Sequence, residues 1–303
     1  MRPTLKQLQY LVAIAETGKF ADAARQMNVS QPSLSTQVAD MEVELGAILV
    51  ERGRHGAVLT PLGEETVKRA RVILRSVEEL KSHAGASDKG FTGRLRLGVI
   101  PSVGPYLLPS VTSRLHRLYP DFRISVLEEK TVDLDQSLRE GQLDVIISTT
   151  EDHGNTRHIE LFSEDLWICV AEDHKLASGT GPLSPNELEG LSLLSLGYGH
   201  NLNVAIRDVA RISNAFVSHE YEGTSLDAIR QMAAMGAGVA ILPSLYALVE
   251  ARRDRALVVR RIAHPTARRR ISLIWRDTSP LEPLMIEFGA VLTEVAASLV
   301  EQG

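Results

Sequence analysis

The chain has 303 residues and a net charge of −5 with histidine neutral; 44% of its residues are hydrophobic and 23% are charged. This composition is typical of a globular protein with room for two or three domains, and the acidic balance argues against nonspecific coating of nucleic acid. The single cysteine, Cys169, excludes an intramolecular disulfide and a cysteine-rich zinc site.

Three short helices are predicted at the start of the chain. Apolar residues recur at helical spacing over residues 8–15, and Gly18 ends that helix. An alanine-rich helix follows at residues 20–27, and Ser30 is a suitable N-cap for a third helix over residues 31–45. Two helices joined by a tight turn indicate a helix-turn-helix, although a helical bundle without DNA function has the same periodicity.

The outer face of the third helix carries small and polar side chains, among them Pro32, Ser35 and Thr36. Such side chains allow a helix to enter the major groove of DNA. Two short strands are then predicted within residues 48–63, around a glycine-rich turn with Arg52 and Arg54 at its tip. This hairpin has the form of a wing whose arginines suit a narrow minor groove. Two solvated surface arginines are the alternative.

The stretch FADAARQMNVSQPSLSTQVADMEVELGAILVERGRHGAVLTPLG resembles the N-terminal domain of LysR-type transcriptional regulators, and the likeness covers residues 1 to about 64. The resemblance implies a winged helix-turn-helix DNA-binding domain over residues 1–62. Its partner would be double-stranded promoter DNA with an inverted repeat. Base or phosphate contacts would come from Gln31, Pro32, Ser35 and Thr36, and minor-groove contacts from the two wing arginines.

A long helix is predicted from Gly63 to about residue 83, because apolar residues continue at helical spacing without a proline. A small, polar, glycine-rich stretch at residues 84–93 follows as a linker. The family resemblance makes residues 63–90 the linker helix and hinge through which subunits pair into a homodimer or homotetramer, and it allows contact with RNA polymerase. Periodicity alone would equally allow this helix to pack on its own domain.

Strands and helices alternate over residues 91–303, which predicts an α/β unit with a mainly parallel sheet. This region resembles the two-lobed effector domain of the same family, which is itself similar to periplasmic solute-binding proteins. The chain as a whole is therefore predicted to be a multi-domain α+β protein. The resemblance places lobe I at about residues 91–162 plus 268–303, and lobe II at about 163–267.

Ligands of open α/β sheets bind beyond the carboxyl ends of strands, at helix N-termini. Three hydroxyl residues fit that position: Ser102, Thr131 and Thr149. Thr224 or Ser225 is expected to cap a helix that faces the cleft between the lobes. With Thr224, His200 and Asn201, these residues form a polar set suited to a small carboxylate or another polar metabolite. Alternatively, each hydroxyl only caps a helix, and His200 is a structural loop residue.

Within the family the chain resembles the OxyR-like peroxide sensors, in LGVIPSVGPYLLP, LREGQLDVII, GYGHN and EGTSLDAIRQMAAMGAGVAILP. That resemblance requires a reactive cysteine directly after His200 and a second cysteine about nine residues later. The chain has Asn201 and Ala210 there, and neither can form a sulfenic acid or a disulfide. Cys169 lies in the apolar run LWICV and is expected to be a buried, inert thiol. We therefore expect regulation by a metabolite, or constitutive action, in place of thiol–disulfide switching.

Eight arginines occur between residues 252 and 270. We expect them to pair with carboxylates of their own acidic domain; a nucleic-acid patch or an intersubunit contact are the alternatives.

No feature of the chain indicates an enzyme. It has no nucleophile elbow, paired metal-ligand motif or glycine-rich phosphate loop, so no catalytic residue, metal or cofactor is predicted. No secretory signal and no apolar run of the roughly 18 residues needed to span a bilayer are present, so we expect a cytoplasmic location and no membrane partner. A solute-binding protein without DNA function is the alternative that the last two hundred residues alone would support.

Overall fold

The computed structural model describes residues 3–53, 56–85, 93–179, 181–218, 225–254 and 257–301. The chain forms two compact units, an N-terminal one described as far as residue 85 and a C-terminal one described from residue 93. Among the residues described, no helix is both long enough and apolar enough to cross a membrane.

The described residues of the N-terminal unit form four helices and one hairpin, as predicted. Its elements are α1 (Leu5–Thr17), α2 (Phe20–Gln26), α3 (Gln31–Leu45), β1 (Val50–Gly53), β2 (Gly56–Leu59) and α4 (Pro61–Gly85). Local chemistry determines the helix ends, because Gly18 and Gly46 adopt the left-handed conformation that terminates α1 and α3. Leu34, Val38 and Met41 of α3 are buried in the core, whereas Leu45, which follows them at helical spacing, is exposed.

Polar side chains connect α3 to its neighbours. The Glu42 carboxylate accepts hydrogen bonds from the backbone amides of Leu49 at 2.7 Å and Val50 at 3.0 Å, at the start of β1. The buried Gln7 side chain of α1 donates to the carbonyl of Gln37 at 3.1 Å. β1 and β2 then pair antiparallel as the predicted hairpin. These contacts fix α3 and the β1–β2 hairpin relative to each other. A recognition helix and a wing must be fixed in this way if both are to contact the same DNA.

Replacing Gly63 with alanine is expected to destabilise the N-terminal unit by about 1–3 kcal/mol. A Cβ at this position would lie 2.0 Å from the carbonyl oxygen of Leu49, and a backbone atom cannot move aside as a side chain does. Thermal unfolding followed by circular dichroism measures the loss. Gly53→Ala in β1 is the matched control, because its Cβ would meet only the Gly56 oxygen at 3.8 Å. Equal melting temperatures for the two variants would contradict this prediction.

The C-terminal unit has nine strands and six helices of more than one turn in its described residues. They are β3 (Gly93–Val99), α5 (Gly104–Leu118), β4 (Phe122–Glu128), α6 (Thr131–Arg139), β5 (Val145–Thr149), β6 (Thr156–Ala171), β7 (Ser192–Leu194), α7 (Leu202–Ser213), β8 (Phe216–Val217), α8 (Leu226–Ala234), β9 (Val239–Pro243), α9 (Ser244–Arg253), β10 (Leu257–Arg261), β11 (Arg268–Arg276) and α10 (Glu282–Glu301).

Two separate hydrophobic cores lie in this unit. One contains Leu97 of β3 together with Met285 and Phe288 of the C-terminal helix, and the other contains Ile168 of β6 and Ile241 of β9. The last helix therefore packs on the core formed by the first strands of the unit. The lobe boundaries given above remain a prediction.

The expectation of a mainly parallel sheet is wrong, because the sheet is mixed. Its strand order is β4-β3-β5-β11-β6-β9-β7-β8, and β10 also pairs with β6. The pairs near each end, β4-β3-β5 and β9-β7-β8, are parallel, whereas those that involve β6 or β11 are antiparallel. The reason is the double passage of the chain. β6 leads it out of the first core and β11 brings it back, so the two long strands run side by side in opposite directions.

Candidate functional site

The predicted DNA-contacting residues of α3 lie on its outer face. Gln31, Pro32 and Thr36 are exposed, and Ser35 is half-buried. Ser30 caps the helix by accepting a hydrogen bond from the Ser33 amide at 3.3 Å. The Arg52 side chain and the whole of Arg54 lie outside the described residues. DNA contact by each of these residues stays a prediction.

Five of the six predicted effector residues line one small cavity of about 20 Å³, which we call the inner cavity. They are Ser102, Thr131, Thr149, His200 and Asn201. The sixth, Thr224, lies outside the described residues, and its neighbour Ser225 caps α8 by accepting from the Ala228 amide at 3.3 Å. The structure thus brings together side chains from distant parts of the chain; Ser102 and Asn201, for example, are 99 residues apart in the sequence.

Strand direction explains this convergence. β3 pairs parallel with both β4 and β5, so the carboxyl ends of these strands meet at one edge. Thr149 is the last residue of β5, and Thr131 is the first residue of α6. Asn201 precedes α7 directly. Helix N-termini and strand ends therefore surround the inner cavity, the position at which α/β folds commonly bind ligands.

Asn201 takes part in a hydrogen-bond network at the wall of the inner cavity. Its side-chain amide donates to the Thr149 hydroxyl at 3.2 Å and to the Asp152 carboxylate, which also accepts from Thr149. Burial raises the pKa of Asp152 above its ordinary value. No sequence pattern pointed to Asp152, which lies in a short turn three residues after the end of β5.

Arg269 also lines the inner cavity, although it was not among the residues predicted from the sequence. Its guanidinium is buried, with Nε 2.9 Å from Glu164 Oε1 and Nη2 2.7 Å from the Ser102 hydroxyl. The other Glu164 oxygen accepts from the Leu245 amide at 3.0 Å. Strand alternation could have revealed it, because Arg269 shares a face of β11 with the buried Ile271.

Most of the described arginines between residues 252 and 270 form ion pairs with carboxylates of the C-terminal unit, as expected. Arg261 and Arg268 both pair with Asp165, and Arg270 pairs with Glu151. Arg255 lies outside the described residues.

His200 differs from the other residues of the inner cavity in its hydrogen bonding and its pKa. Its imidazole Nε2 is buried and has no hydrogen-bond partner among the described residues. Burial, followed by the nearby positive charge of Lys130, lowers the pKa of His200 below its ordinary value of 6.5. The neutral ring lines the inner cavity and two larger ones, an outer cavity of about 490 Å³ and a side cavity of about 280 Å³.

The lowered pKa of His200 predicts a pH dependence of stability. As the pH drops below 6.5, the unfolded chain takes up a proton at this residue more readily than the folded chain does, so the free energy of unfolding should fall. His200→Gln should reduce that loss. Denaturant titrations above and below pH 6.5 measure it, with the exposed His116→Gln as control. An unchanged pH dependence in His200→Gln would contradict the prediction.

Cys169 lies on β6 and is fully buried. Burial raises the pKa of its thiol to about 12, so the reactive thiolate is absent at neutral pH. No group of three or more histidine, cysteine, aspartate or glutamate side chains that could hold a metal ion occurs in the described part of the chain.

Two family assignments cover most of the sequence. Residues 5–64 match the bacterial regulatory helix-turn-helix proteins of the lysR family, and residues 88–297 match the LysR substrate binding domain. The chain belongs to the LysR family. It is a DNA-binding transcriptional regulator with an N-terminal winged helix-turn-helix and a C-terminal effector-type domain.

Several relatives of the chain are regulators of peroxide-inducible genes. The chain is 34% identical to a hydrogen peroxide-inducible genes activator of Haemophilus influenzae over 298 residues, 98% of each chain. It is 36% identical to the DNA-binding transcriptional dual regulator OxyR of Escherichia coli, over 91% of this chain and 90% of the other. A full-length cysteine-to-aspartate variant of OxyR from Pseudomonas aeruginosa has a similar structure, with a TM-score of 0.77, 31% identity and 97% of each chain covered. This LysR protein is thus OxyR-like without cysteines at the expected positions.

Proposed function

We propose that this regulator binds an inverted repeat in promoter DNA as a homodimer or homotetramer, through α3 and the wing. A small polar effector in the inter-lobe cleft changes how it binds, and thiol–disulfide chemistry takes no part. The observation that supports this proposal is the inner cavity, where Ser102, Thr131, Thr149, His200 and Asn201 meet. Contact with RNA polymerase stays a prediction from family resemblance.

The size of the inner cavity limits what an effector places there. A water molecule needs roughly 10–15 Å³ of such volume, and the inner cavity has about 20 Å³. Only the polar end of an effector, such as a single carboxylate or hydroxyl oxygen, fits between the threonine hydroxyls and Asn201. The rest of the molecule would extend into the outer cavity, which shares Pro101, His200 and Leu226 with the inner one. A carboxylate effector stays a prediction.

The exclusion of thiol switching depends on the residues present. Asn201 occupies the position after His200, and its amide donates hydrogen bonds where a cysteine would be oxidised. Cys169 is buried on β6 and has no second cysteine with which to pair. Peroxide should therefore leave the DNA complex unchanged.

A constitutive regulator is the second candidate, and the Asn201 network favours it. Thr149, Asp152 and Asn201 satisfy one another without a ligand, which would hold the loop before α7 in a single state. A ligand can shift a two-state equilibrium only by its difference in affinity for the two states.

The test is DNase footprinting of the full chain on its own upstream region, combined with a thermal-shift screen of small carboxylates and aromatics. We expect a salt-dependent footprint that hydrogen peroxide does not alter and that a bound compound does. A footprint that no bound compound changes would favour the constitutive candidate. A peroxide-dependent change in the footprint that persists in Cys169→Ser would show that the protein senses peroxide without a thiol, and would contradict the proposal.

A further inference from the structure

The outer cavity is acidic. Its wall contains four carboxylates, from Glu128, Glu129, Asp133 and Asp227, and one lysine, Lys130. Lys130 pairs with Asp133 at 3.4 Å, and Arg230 pairs with Asp227 at 3.0 Å.

Glu128 and Glu129 differ from the other two acids. Throughout the described residues, no cation forms an ion pair with either of them. Partial burial also raises the pKa of Glu128. Both residues are nonetheless exposed to solvent, and the outer cavity therefore offers two carboxylates, consecutive in the sequence, with which a bound cation would pair.

Two aromatic rings complete the wall. Tyr106 and Tyr246 pack edge-to-face with ring centroids 5.8 Å apart. Their hydroxyls are held by Glu250 at 3.2 Å and by Asp227 at 3.1 Å, which fixes both rings. Tyrosine rings attract cations through their π faces, most strongly where water is excluded.

His200 supplies an independent sign that a ligand belongs here. The residue lines both the inner and the outer cavity and is nine-tenths buried, and its buried Nε2 has no hydrogen-bond partner among the described residues. A buried polar atom without a partner costs free energy, and a ligand that hydrogen-bonds to it would recover that cost.

We propose that the effector is a small organic amine. Its ammonium group lies in the outer cavity against Glu128 and Glu129, and its other end hydrogen-bonds to His200 and reaches the polar groups of the inner cavity. This inference rests on the proposed function, because it names the chemistry of the effector that occupies the same cleft. A simple dicarboxylate would have to approach both unpaired glutamates and is therefore disfavoured.

Calorimetric titration of the full-length chain tests this with four probes of similar length: putrescine, γ-aminobutyrate, succinate and butanol. We expect both amines to bind, and succinate and butanol not to bind. γ-Aminobutyrate should bind more tightly than putrescine if its carboxylate reaches the inner cavity, which would indicate an amino-acid effector; the reverse order would indicate a polyamine. Either order supports an amine.

The matched variants are Glu128→Gln with Glu129→Gln, and Glu189→Gln as an exposed control that lines none of the three cavities. The double variant should weaken amine binding at least tenfold, about 1.4 kcal/mol, and the control should not. The inference is wrong if neither amine binds, if succinate binds as tightly as the amines, or if the double variant binds them normally. If succinate alone binds and changes the footprint, the proposed function survives without this inference. If an amine binds and the footprint stays the same, the cation site survives and the proposed coupling fails.

Discussion

Arg269→Ala is expected to lower the free energy of unfolding of the C-terminal unit by about 3–5 kcal/mol. The guanidinium is the buried partner of Glu164 and also donates to Ser102. After its removal, the donors that the structure still shows at the buried Glu164 carboxylate are neutral, from Ser244 and Leu245. A buried charge without its partner destabilises the fold by more than the ion pair stabilised it. Both tryptophans, Trp167 and Trp275, lie in the C-terminal unit, so their fluorescence during denaturant unfolding reports on this unit alone.

Two variants test whether the loss of stability comes from the buried, unpaired Glu164 and not from the removal of any arginine. Arg268→Ala removes the adjacent arginine, whose side chain is 58% exposed where it pairs with Asp165, and should cost less than about 1 kcal/mol. Combining Arg269→Met with Glu164→Leu removes both charges and should recover most of the stability lost in Arg269→Ala. If Arg268→Ala and Arg269→Ala unfold at the same denaturant concentration, the buried pair does not have the role assigned to it.

Thr36→Glu is expected to weaken binding to the operator about a hundredfold or more, because a carboxylate brought against DNA phosphates costs several kcal/mol. Thr36 is exposed on the outer face of α3, beside the buried Val38 that holds the helix in the core. The change should therefore leave the fold intact. Fluorescence anisotropy with a labelled operator at fixed salt concentration measures the loss.

Gln9→Glu is the matched control. It introduces the same charge at an exposed position of α1, a helix without a proposed DNA contact. It should change operator affinity by much less than Thr36→Glu does. Equal losses for the two variants would mean that net charge, and not the outer face of α3, determines binding. An unaltered affinity in Thr36→Glu would remove this residue from the proposed DNA-binding face.

The N-terminal unit could be predicted almost completely. Its helix ends depend on local features, such as the Ser30 cap and the left-handed Gly18 and Gly46, which are visible in the sequence. Contacts between neighbouring elements then follow from an apolar stripe on each helix. The exposure of Leu45, the last residue of α3, did not follow from its helical spacing.

The C-terminal unit was predictable in its elements and less so in their arrangement. Alternating strands and helices suggested a parallel sheet, but periodicity does not show which strands pass between the two cores. The antiparallel pairing of β6 and β11 joins strands that are far apart in the sequence, so local periodicity cannot predict it. The acidic character of the outer cavity also could not be predicted locally, because Glu128 and Asp227 come to the same wall from distant parts of the chain.

By itself, the sequence determined the family, the helix-turn-helix and the absence of cysteines where OxyR-like switching needs them. These features depend on residue identity and on spacing within one element. Only the tertiary structure decided that Arg269 is buried against Glu164, that Asn201 bonds to Asp152, and that two glutamates of the outer cavity form no ion pair with any cation the structure describes. Burial and pairing depend on what lies across the cleft, and those partners come from strands and helices far apart in the chain.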